Sequence, residues 1–187
     1  MKFILASQSP RRKEILKKMN LDFEVLNAKI DESIISKNIE PHKYSMKLAK
    51  LKSESISSSN PGKTVIGADT IVSIDDQILN KPRNIDESRQ MLHLLSNRTH
   101  NVITGVSLKN KFLNIDENFY DLTLVTFYKL SDREINYYID FYKPFDKAGS
   151  YGIQDYGSLF IKEIKGSYDT VVGFPISKFY QILKQYI

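Results

Sequence analysis

Apolar residues recur with two different periods along the chain, and these periods predict a fold that mixes strands with helices. The run at 64–74, TVIGADTIVSI, is rich in β-branched residues and predicts a strand, followed by a turn and a returning strand. The segment at 86–95 instead spaces its apolar residues as one face of a helix does. The patterns predict strands at 2–6, 23–27, 64–74, 77–79, 100–108, 119–127 and 158–164. They predict helices at 10–19, 42–57, 86–95, 131–142 and 175–186.

The order of these elements predicts an α/β fold with a mixed β-sheet and flanking helices. Hairpins interrupt the alternation of strands and helices, so a strictly parallel βαβ array is not expected. In the sixth predicted strand, Tyr120, Leu122 and Leu124 alternate with Asp121 and Thr123. This alternation favours a first half of the strand with one apolar and one polar side.

Length and composition narrow the class of protein further. The 187 residues are most simply one domain over 1–187, with two lobes around a cleft, and 41% hydrophobic content is typical of a globular protein. No apolar run approaches the about 20 residues of a membrane-spanning helix, so no membrane contact is expected. The absence of cysteine excludes disulfides and a thiol nucleophile and agrees with a cytoplasmic location. The net charge of +5 fits an anionic partner, although mild basicity alone is common.

The stretch LASQSPRRKEIL at 5–16 places two arginines at the predicted start of a helix. Ser9 is a favoured helix N-cap and Pro10 is favoured at the first helical position, so Arg11 and Arg12 fall in the first turn. That end of a helix carries partial positive charge and normally attracts acidic residues. Either the arginines face solvent or nearby carboxylates, or they bind an anion such as phosphate together with the free backbone N–H groups.

A single carboxylate, Asp69, interrupts the apolar strand run VIGADTIV at 65–72. A carboxylate there is costly unless it is paired, hydrogen-bonded or bound to a metal, although it could also lie on a sheet edge and face water. Gly67 indicates a bulge or a close approach of another backbone.

Further candidate residues are individually weak signals. The Asp31-Glu32 pair could supply oxygen ligands to Mg²⁺ or Mn²⁺, but most such pairs are solvated loop charges. Lys52 and Lys81 would by default be surface lysines. Gln154 follows a glycine-rich stretch and carries an amide whose donor and acceptor match the edge of uracil or thymine, although an ordinary turn explains the stretch equally well.

Taken together, these stretches resemble the Maf family, the septum-formation-inhibitor-like nucleoside triphosphate pyrophosphatases. The resemblance covers nearly the whole chain, and its double arginine, GADT and YGIQ are similar to the branch that hydrolyses dTTP and UTP. The motifs that carry it are LASQSPRRKEIL, Asp31-Glu32, LAKLKSE (48–54), VIGADTIV, LNKP (79–82), RTHNVITGVSL (98–108), DKAGSYGIQDYG (146–157) and GSYDTVVGFP (166–175).

The resemblance implies an elongated mixed α/β fold shared with inosine triphosphate pyrophosphatases, with a central cleft, and a homodimer. It implies attack by water on the α-phosphorus, giving a monophosphate and pyrophosphate, with Asp69 as the general base. The implied specificity residues are Arg11, Thr70 and Gln154. The implied phosphate-binding residues are Ser9, Arg12, Lys52 and Lys81. A divalent cation, Mg²⁺ or Mn²⁺, would be held by Glu32 together with Asp69.

Two positions depart from the family pattern. Asp155 stands where the family usually has glycine after GIQ, and Lys165 replaces the usual asparagine before Gly166. The extra carboxylate of Asp155 could change nucleotide preference or simply face water. Alternative functions are a non-catalytic nucleotide- or nucleic-acid-binding regulator of septum formation and a pyrophosphatase for another modified nucleotide. Nucleic acid is not expected as a partner.

Overall fold

The structure is a computed structural model that describes residues 1–36 and 38–187, and this part of the chain forms a mixed β-sheet with helices around it. The strands are β1 (Phe3–Leu5), β2 (Phe23–Val25), β3 (Thr64–Ile74), β4 (Gln77–Leu79), β5 (Thr99–Asn110), β6 (Ile115–Phe127) and β7 (Ile161–Lys165). The α-helices are α1 (Pro10–Lys17), α2 (Pro41–Ser57), α3 (Ile85–Leu95), α4 (Asp132–Tyr142), α5 (Tyr168–Val172) and α6 (Ile176–Leu183).

The seven-stranded sheet has the order β2-β1-β3-β5-β6-β7, and β4 pairs with β3. Strand β1 runs parallel to both β2 and β3, whereas β4 is antiparallel to β3 and β7 is antiparallel to β6. The predicted α/β fold with a mixed sheet is therefore confirmed. No helix in the described part of the chain is long and apolar enough to cross a membrane.

The predicted elements agree closely with the structure, apart from β6, which begins at Ile115 rather than at 119, and apart from the C-terminal third of the chain. Residues 156–160 form a 3₁₀ helix, so β7 begins at Ile161 and the strand predicted from 158 starts too early. The cause is Asp155, whose side chain accepts a hydrogen bond from the Gly157 N–H and caps that short helix. Helix α5 was not predicted, because five residues are too few to establish a helical period.

The alternation at 120–124 does not separate a buried from an exposed side of β6, because Tyr120, Asp121 and Leu124 are all half-buried. Thr123 is fully buried and Leu122 is exposed. The Thr123 hydroxyl donates a hydrogen bond to the Ser167 carbonyl oxygen at 3.0 Å, so its polar group is satisfied inside the protein. The one-sided first half that the alternation predicted for this strand is therefore not observed.

The described chain divides into two compact units. Unit 1 comprises Met1–Thr70, Thr104–Asp121 and Gly173–Ile187, and unit 2 comprises Ile71–Ile103 and Leu122–Val172. Unit 2 has a buried aromatic core in which the rings of Phe127, Tyr151 and Phe160 pack edge to face. His100 lies in the same core with its Nε2 2.7 Å from the Tyr151 hydroxyl, and burial lowers its pKa to about 3. This histidine is consequently neutral at physiological pH.

Unit 1 is built on very close packing of α2 against the strands. A Cβ atom added to Gly67 on β3 would lie 2.1 Å from the Ala49 carbonyl oxygen, and one added to Gly105 on β5 would lie 2.5 Å from the Ser45 carbonyl carbon. Both glycines are therefore required because the backbone of α2 approaches them closely. For Gly67, this was one of the two explanations that the sequence suggested. The contact places one side of α2 directly over β3.

Candidate active site

Glu32, Lys52 and Asp69 form the first of two side-chain groups in unit 1, which we call the carboxylate cluster. The Lys52 Nζ lies 2.5 Å from the Asp69 Oδ1 and 3.0 Å from the Glu32 Oε1. Asp69 is 9% exposed, whereas the Glu32 side chain is 51% exposed on a short 3₁₀ turn capped by Asp31. Two carboxylates and one ammonium leave this cluster with one net negative charge.

The position of the cluster follows from the packing of α2. Gly67 and Asp69 are two residues apart on β3, so they share one face of the strand. Because Gly67 lets α2 approach to backbone contact, the next turn of that helix brings Lys52 onto Asp69. Asp69 is 9% exposed, so the alternative of an edge carboxylate facing water does not hold.

The second group in unit 1, which we call the arginine cluster, surrounds the guanidinium of Arg12 with Ser7, Thr70, Thr104 and Gly173. Arg12 donates from Nε to the Gly173 carbonyl oxygen at 2.9 Å and from Nη1 to the Ser7 Oγ at 3.2 Å. It donates from Nη2 to the Thr70 Oγ1 at 2.9 Å. All three acceptors are neutral, so the guanidinium is oriented while its positive charge is not cancelled by a bonded carboxylate.

Local structure fixes the arginine cluster at the start of α1. Ser9 is the N-cap, with its Oγ accepting from the Arg12 N–H at 3.4 Å, and Pro10 is the first helical residue, as predicted. Gly173 has a φ of +127°, which L side chains rarely adopt. A Cβ there would also lie 3.4 Å from the Thr70 Oγ1. Glycine thus lets this carbonyl reach Arg12.

The electrostatics of Arg12 reflect both clusters. Burial lowers the pKa of the guanidinium, the negative charge of Asp69 raises it, and the charge of Arg11 lowers it. A guanidinium stays protonated under all physiological conditions, so Arg12 carries a positive charge that is only partly solvated. Asp69 and Thr70 are consecutive on β3, and this pair joins the carboxylate cluster to the arginine cluster.

Three members of the arginine cluster were not among the residues singled out from the sequence. Ser7 and Gly173 lie within the motifs LASQSPRRKEIL and GSYDTVVGFP, and Thr104 lies within RTHNVITGVSL. The Thr104 Oγ1 is 2.9 Å from the Thr70 Oγ1 and steadies that hydroxyl. The only sequence signal for these residues is that they lie within those motifs. A serine, a threonine and a glycine carry no distinctive chemistry outside their fold.

The remaining predicted site residues are placed as follows. Arg11 is half-buried at the second position of α1, next to Arg12. Lys81 and Gln154 belong to unit 2, where Lys81 is exposed just after β4 and Gln154 is exposed in a turn of the glycine-rich loop. The structure therefore brings Glu32, Lys52 and Asp69 together, and Arg12 together with Thr70.

The carboxylate cluster has the donors that a hard divalent cation requires. Two carboxylates from different elements converge on one positive charge, the Lys52 ammonium. The described residues contain no group of three or more acidic or histidine side chains that could hold a metal ion by themselves. Mg²⁺ is commonly bound by one or two carboxylates and completed by water and substrate phosphates, so the pair fits such an ion.

The nearly buried carboxylate of Asp69 and the oriented guanidinium of Arg12 are joined through consecutive residues of β3, so this part of unit 1 offers a base and a cation close together. Comparison with known proteins places the chain within one family: residues 2–186 match the Maf-like protein family, and the chain belongs to it.

Among curated relatives, the chain is similar to proteins named dTTP/UTP pyrophosphatase. That of Bacillus cytotoxicus is 45% identical over 185 residues, which are 99% of this chain and 95% of the relative. That of Bacillus pumilus is 45% identical over 183 residues, with 98% and 95% covered.

Solved structures give a more distant likeness. The Staphylococcus aureus Ham1 protein aligns with 15% identity and a TM-score of 0.49 over 68% of this chain and 72% of that one. A nucleoside-triphosphatase / dITP/XTP pyrophosphatase from Mycobacterium abscessus aligns with 10% identity and a TM-score of 0.49 over 98% and 95%.

Proposed function

We propose that this protein is a nucleoside triphosphate pyrophosphatase that hydrolyses dTTP and UTP to the nucleoside monophosphate and pyrophosphate, and so removes these nucleotides from the cellular pool. The observation that carries the proposal is the direct succession of Asp69 and Thr70 on β3, one paired with Lys52 and the other bonded to Arg12. A base and a phosphate-binding cation are thereby held side by side. The 45% identity to full-length relatives named dTTP/UTP pyrophosphatase supports the choice of substrate.

Arg12 binds the phosphate chain in this proposal. Its guanidinium is already oriented by three neutral acceptors, so its charge remains available to an anion. The α1 N-terminus, which Ser9 caps, adds backbone N–H groups and the positive end of the helix dipole. Lys81 is assigned to the phosphates as well, on the resemblance to the family alone.

Asp69 is the general base that takes a proton from the water attacking the α-phosphorus. It is nearly buried, and the Lys52 Nζ lies 2.5 Å from its Oδ1. Lys52 is assigned to the phosphates as well, and its ammonium lies between the two carboxylates. The phosphates of the substrate are negatively charged, as the carboxylates are, so they compete with the carboxylates for that ammonium.

A divalent cation, Mg²⁺ or Mn²⁺, belongs to the proposal, with Glu32 and Asp69 as its protein ligands. Such an ion supplies Lewis-acid neutralisation of the phosphate oxygens. The one net negative charge of the carboxylate cluster supports this assignment, because a cation is attracted to it even with Lys52 in place.

Base selection is assigned to Arg11, Thr70 and Gln154. The Gln154 amide can pair with the N–H and carbonyl of uracil or thymine, and it is exposed and free to meet a ligand. The Thr70 hydroxyl is hydrogen-bonded to Arg12 and Thr104, so its position is fixed. In this proposal it limits the space for the base and provides a hydrogen-bonding group. We therefore expect UTP and dTTP to be better substrates than CTP, ATP and GTP.

We further propose, on the resemblance to the family, that the protein works as a homodimer in the cytoplasm. The absence of cysteine supports a reducing compartment. Light scattering coupled to size-exclusion chromatography measures the assembly state, and a monomer at working concentration would contradict the dimer.

The experiment that tests the proposal measures pyrophosphate release from UTP, dTTP, CTP, ATP, GTP and modified pyrimidine triphosphates, with Mg²⁺, with Mn²⁺ and with chelator. We expect UTP and dTTP to give the highest kcat/KM and the chelator to abolish turnover. Salt-dependent DNA binding without turnover of any nucleotide would favour a binding regulator instead. A preference for a modified nucleotide would keep the reaction and change the substrate.

A further inference from the structure

In the glycine-rich loop of unit 2, residues 146–157, the carboxylate of Asp155 links the two ends of the turn that carries Gln154. Its Oδ1 accepts from the Tyr138 hydroxyl at 2.9 Å and from the Gly157 N–H at 2.9 Å. The Tyr138 hydroxyl in turn accepts from the Gly152 N–H at 3.0 Å. Asp155 therefore connects the residue before the turn, the residue after it and helix α4, and it does not simply face water.

The two ends of this turn also touch directly. A Cβ added to Gly157 would lie 2.6 Å from the Gly152 carbonyl oxygen, and one added to Gly152 would lie 2.7 Å from the Asp155 Oδ2. On the other side of the carboxylate, the Lys147 Nζ lies 3.6 Å from the Asp155 Oδ2. The carboxylate thus fills the interior of the turn, and Gln154 is the exposed residue at its tip.

Tyr138 gives this closure a rigid support. It is fully buried in the unit 2 core, and its ring packs edge to face on Phe160 with a centroid separation of 5.1 Å. Burial and then the nearby Asp155 charge raise its pKa, so the hydroxyl keeps its proton and remains a donor. Both flanks of Gln154 are consequently tied to the core of unit 2 through one hydroxyl–carboxylate pair.

We propose that Tyr138 and Asp155 are positioning residues that set the base selectivity of the enzyme by fixing the backbone from which the Gln154 amide reaches the base. Discrimination between uracil and cytosine depends on where the amide meets the edge of the base, and the backbone at 152–157 determines the point from which the Gln154 side chain extends. The inference rests on the proposed function, because it names the groups behind the nucleotide choice assigned there to Gln154.

The test compares kcat/KM for UTP and CTP in the wild type, Tyr138→Phe, Asp155→Ala and Asp155→Asn. Tyr138→Phe and Asp155→Ala each remove hydrogen bonds that hold the turn together. We expect the preference for UTP over CTP to fall roughly three- to tenfold in both variants. The change should appear in KM for UTP rather than in kcat, since Gln154 contacts the base and not the reacting phosphorus. Asp155→Asn keeps an acceptor oxygen and should retain part of the selectivity.

Tyr142→Phe is the matched control. Tyr142 lies one turn further along α4, is 40% exposed, and its hydroxyl makes no hydrogen bond to the described residues. We expect this variant to keep wild-type selectivity. Amide hydrogen exchange should show faster exchange across 152–157 in Tyr138→Phe but not in Tyr142→Phe, and this readout needs no catalytic activity.

A Gln154→Ala background separates positioning from general destabilisation. If Tyr138 acts through Gln154, adding Tyr138→Phe to Gln154→Ala should change selectivity no further. Unaltered selectivity in Tyr138→Phe and Asp155→Ala, or an equal further loss in the Gln154→Ala background, would overturn the inference while leaving the proposed function intact. A wild type that turns over neither UTP nor dTTP would overturn both.

Discussion

The two clusters of unit 1 hold their cations in opposite ways. Lys52 lies between two carboxylates, so its charge is more than balanced by its neighbours. Arg12 is bonded to a carbonyl and two hydroxyls, so its charge is oriented but not cancelled. In the proposed function, the first cluster attracts a cation and the second an anion. A metal-bound triphosphate carries both kinds of charge, and the difference between the clusters matches the two ends of such a ligand.

The difference also explains how the sequence can afford a nearly buried carboxylate. Asp69 would be costly in an apolar strand on its own, but Lys52 compensates it at 2.5 Å. Among the described residues, no carboxylate is bonded to Arg12, and its charge is offset only by the unbonded charges of Asp69 and Glu32. The variants below change one side of this comparison at a time, from the largest expected effect to the smallest.

Asp69→Asn tests the base in the carboxylate cluster. The substitution keeps shape and hydrogen-bonding capacity but removes the charge and the basicity, so kcat for UTP should fall on the order of 10²–10⁴-fold. Circular dichroism and a UTP titration should show a folded protein that still binds nucleotide through Arg12. A folded variant with turnover near that of the wild type would assign Asp69 a structural role only.

Arg12→Ala tests whether the arginine cluster binds the phosphates of the nucleotide. Hydrogen bonds to charged groups contribute about 1.5–3 kcal/mol, so kcat/KM for UTP should fall roughly 10- to 100-fold. Lys13→Ala is the control, because Lys13 is an exposed cation in the same first turn. Equal kinetics in the two variants would mean that Arg12 is only a helix charge, and a raised melting temperature would fit that view through the helix dipole.

Lys52→Met removes the cation that joins the two carboxylates. We expect kcat/KM for UTP to fall about tenfold through loss of a charged hydrogen bond to the phosphates. Lys50→Met serves as the control, since Lys50 lies on the same helix and pairs at 3.9 Å with Glu54. An unchanged KM for UTP together with tighter Mn²⁺ activation would show instead that Lys52 acts only as a counter-ion to the carboxylates.

Glu32→Gln should have the smallest effect, because the Glu32 side chain is 51% exposed. Exposed ion pairs contribute about 0.2–1 kcal/mol, so we expect less than about a fivefold loss in kcat/KM at saturating metal. The Mn²⁺ concentration for half-maximal activity should rise, which a metal titration measures. A loss as large as that of Asp69→Asn would contradict the ranking of the two carboxylates by burial.

Sequence reasoning predicted the parts of this protein that depend on local periodicity. Strand β3 and helix α4 agree with their predicted limits, because β-branched runs and helical spacing act over ten or more residues. The start of β7 was missed because a single side chain, Asp155, stabilises a 3₁₀ helix across the predicted strand. The one-sided start predicted for β6 was wrong because Thr123, although polar, is buried with its hydroxyl bonded to the carbonyl oxygen of Ser167, 44 residues further along the chain.

The candidate site shows the same division. Asp69 stands out in the sequence because a lone carboxylate in an apolar run is anomalous, and its burial beside Lys52 agrees with that signal. By contrast, nothing local distinguishes Arg12 from Arg11. Only folding brings the Gly173 carbonyl, 161 residues further along the chain, to the guanidinium of Arg12. A contact between residues so far apart in the sequence leaves no periodic pattern from which it could be predicted.

Hydrolysis of UTP in water labelled with heavy oxygen tests the central claim, attack on the α-phosphorus, most directly. Mass spectrometry of the products locates the atom that water contributes. The account predicts that the label appears in UMP and that the pyrophosphate is unlabelled, because the base and the phosphate-binding cations together direct water to the α-phosphorus. Label in the pyrophosphate, or UDP and inorganic phosphate as the products, would contradict it.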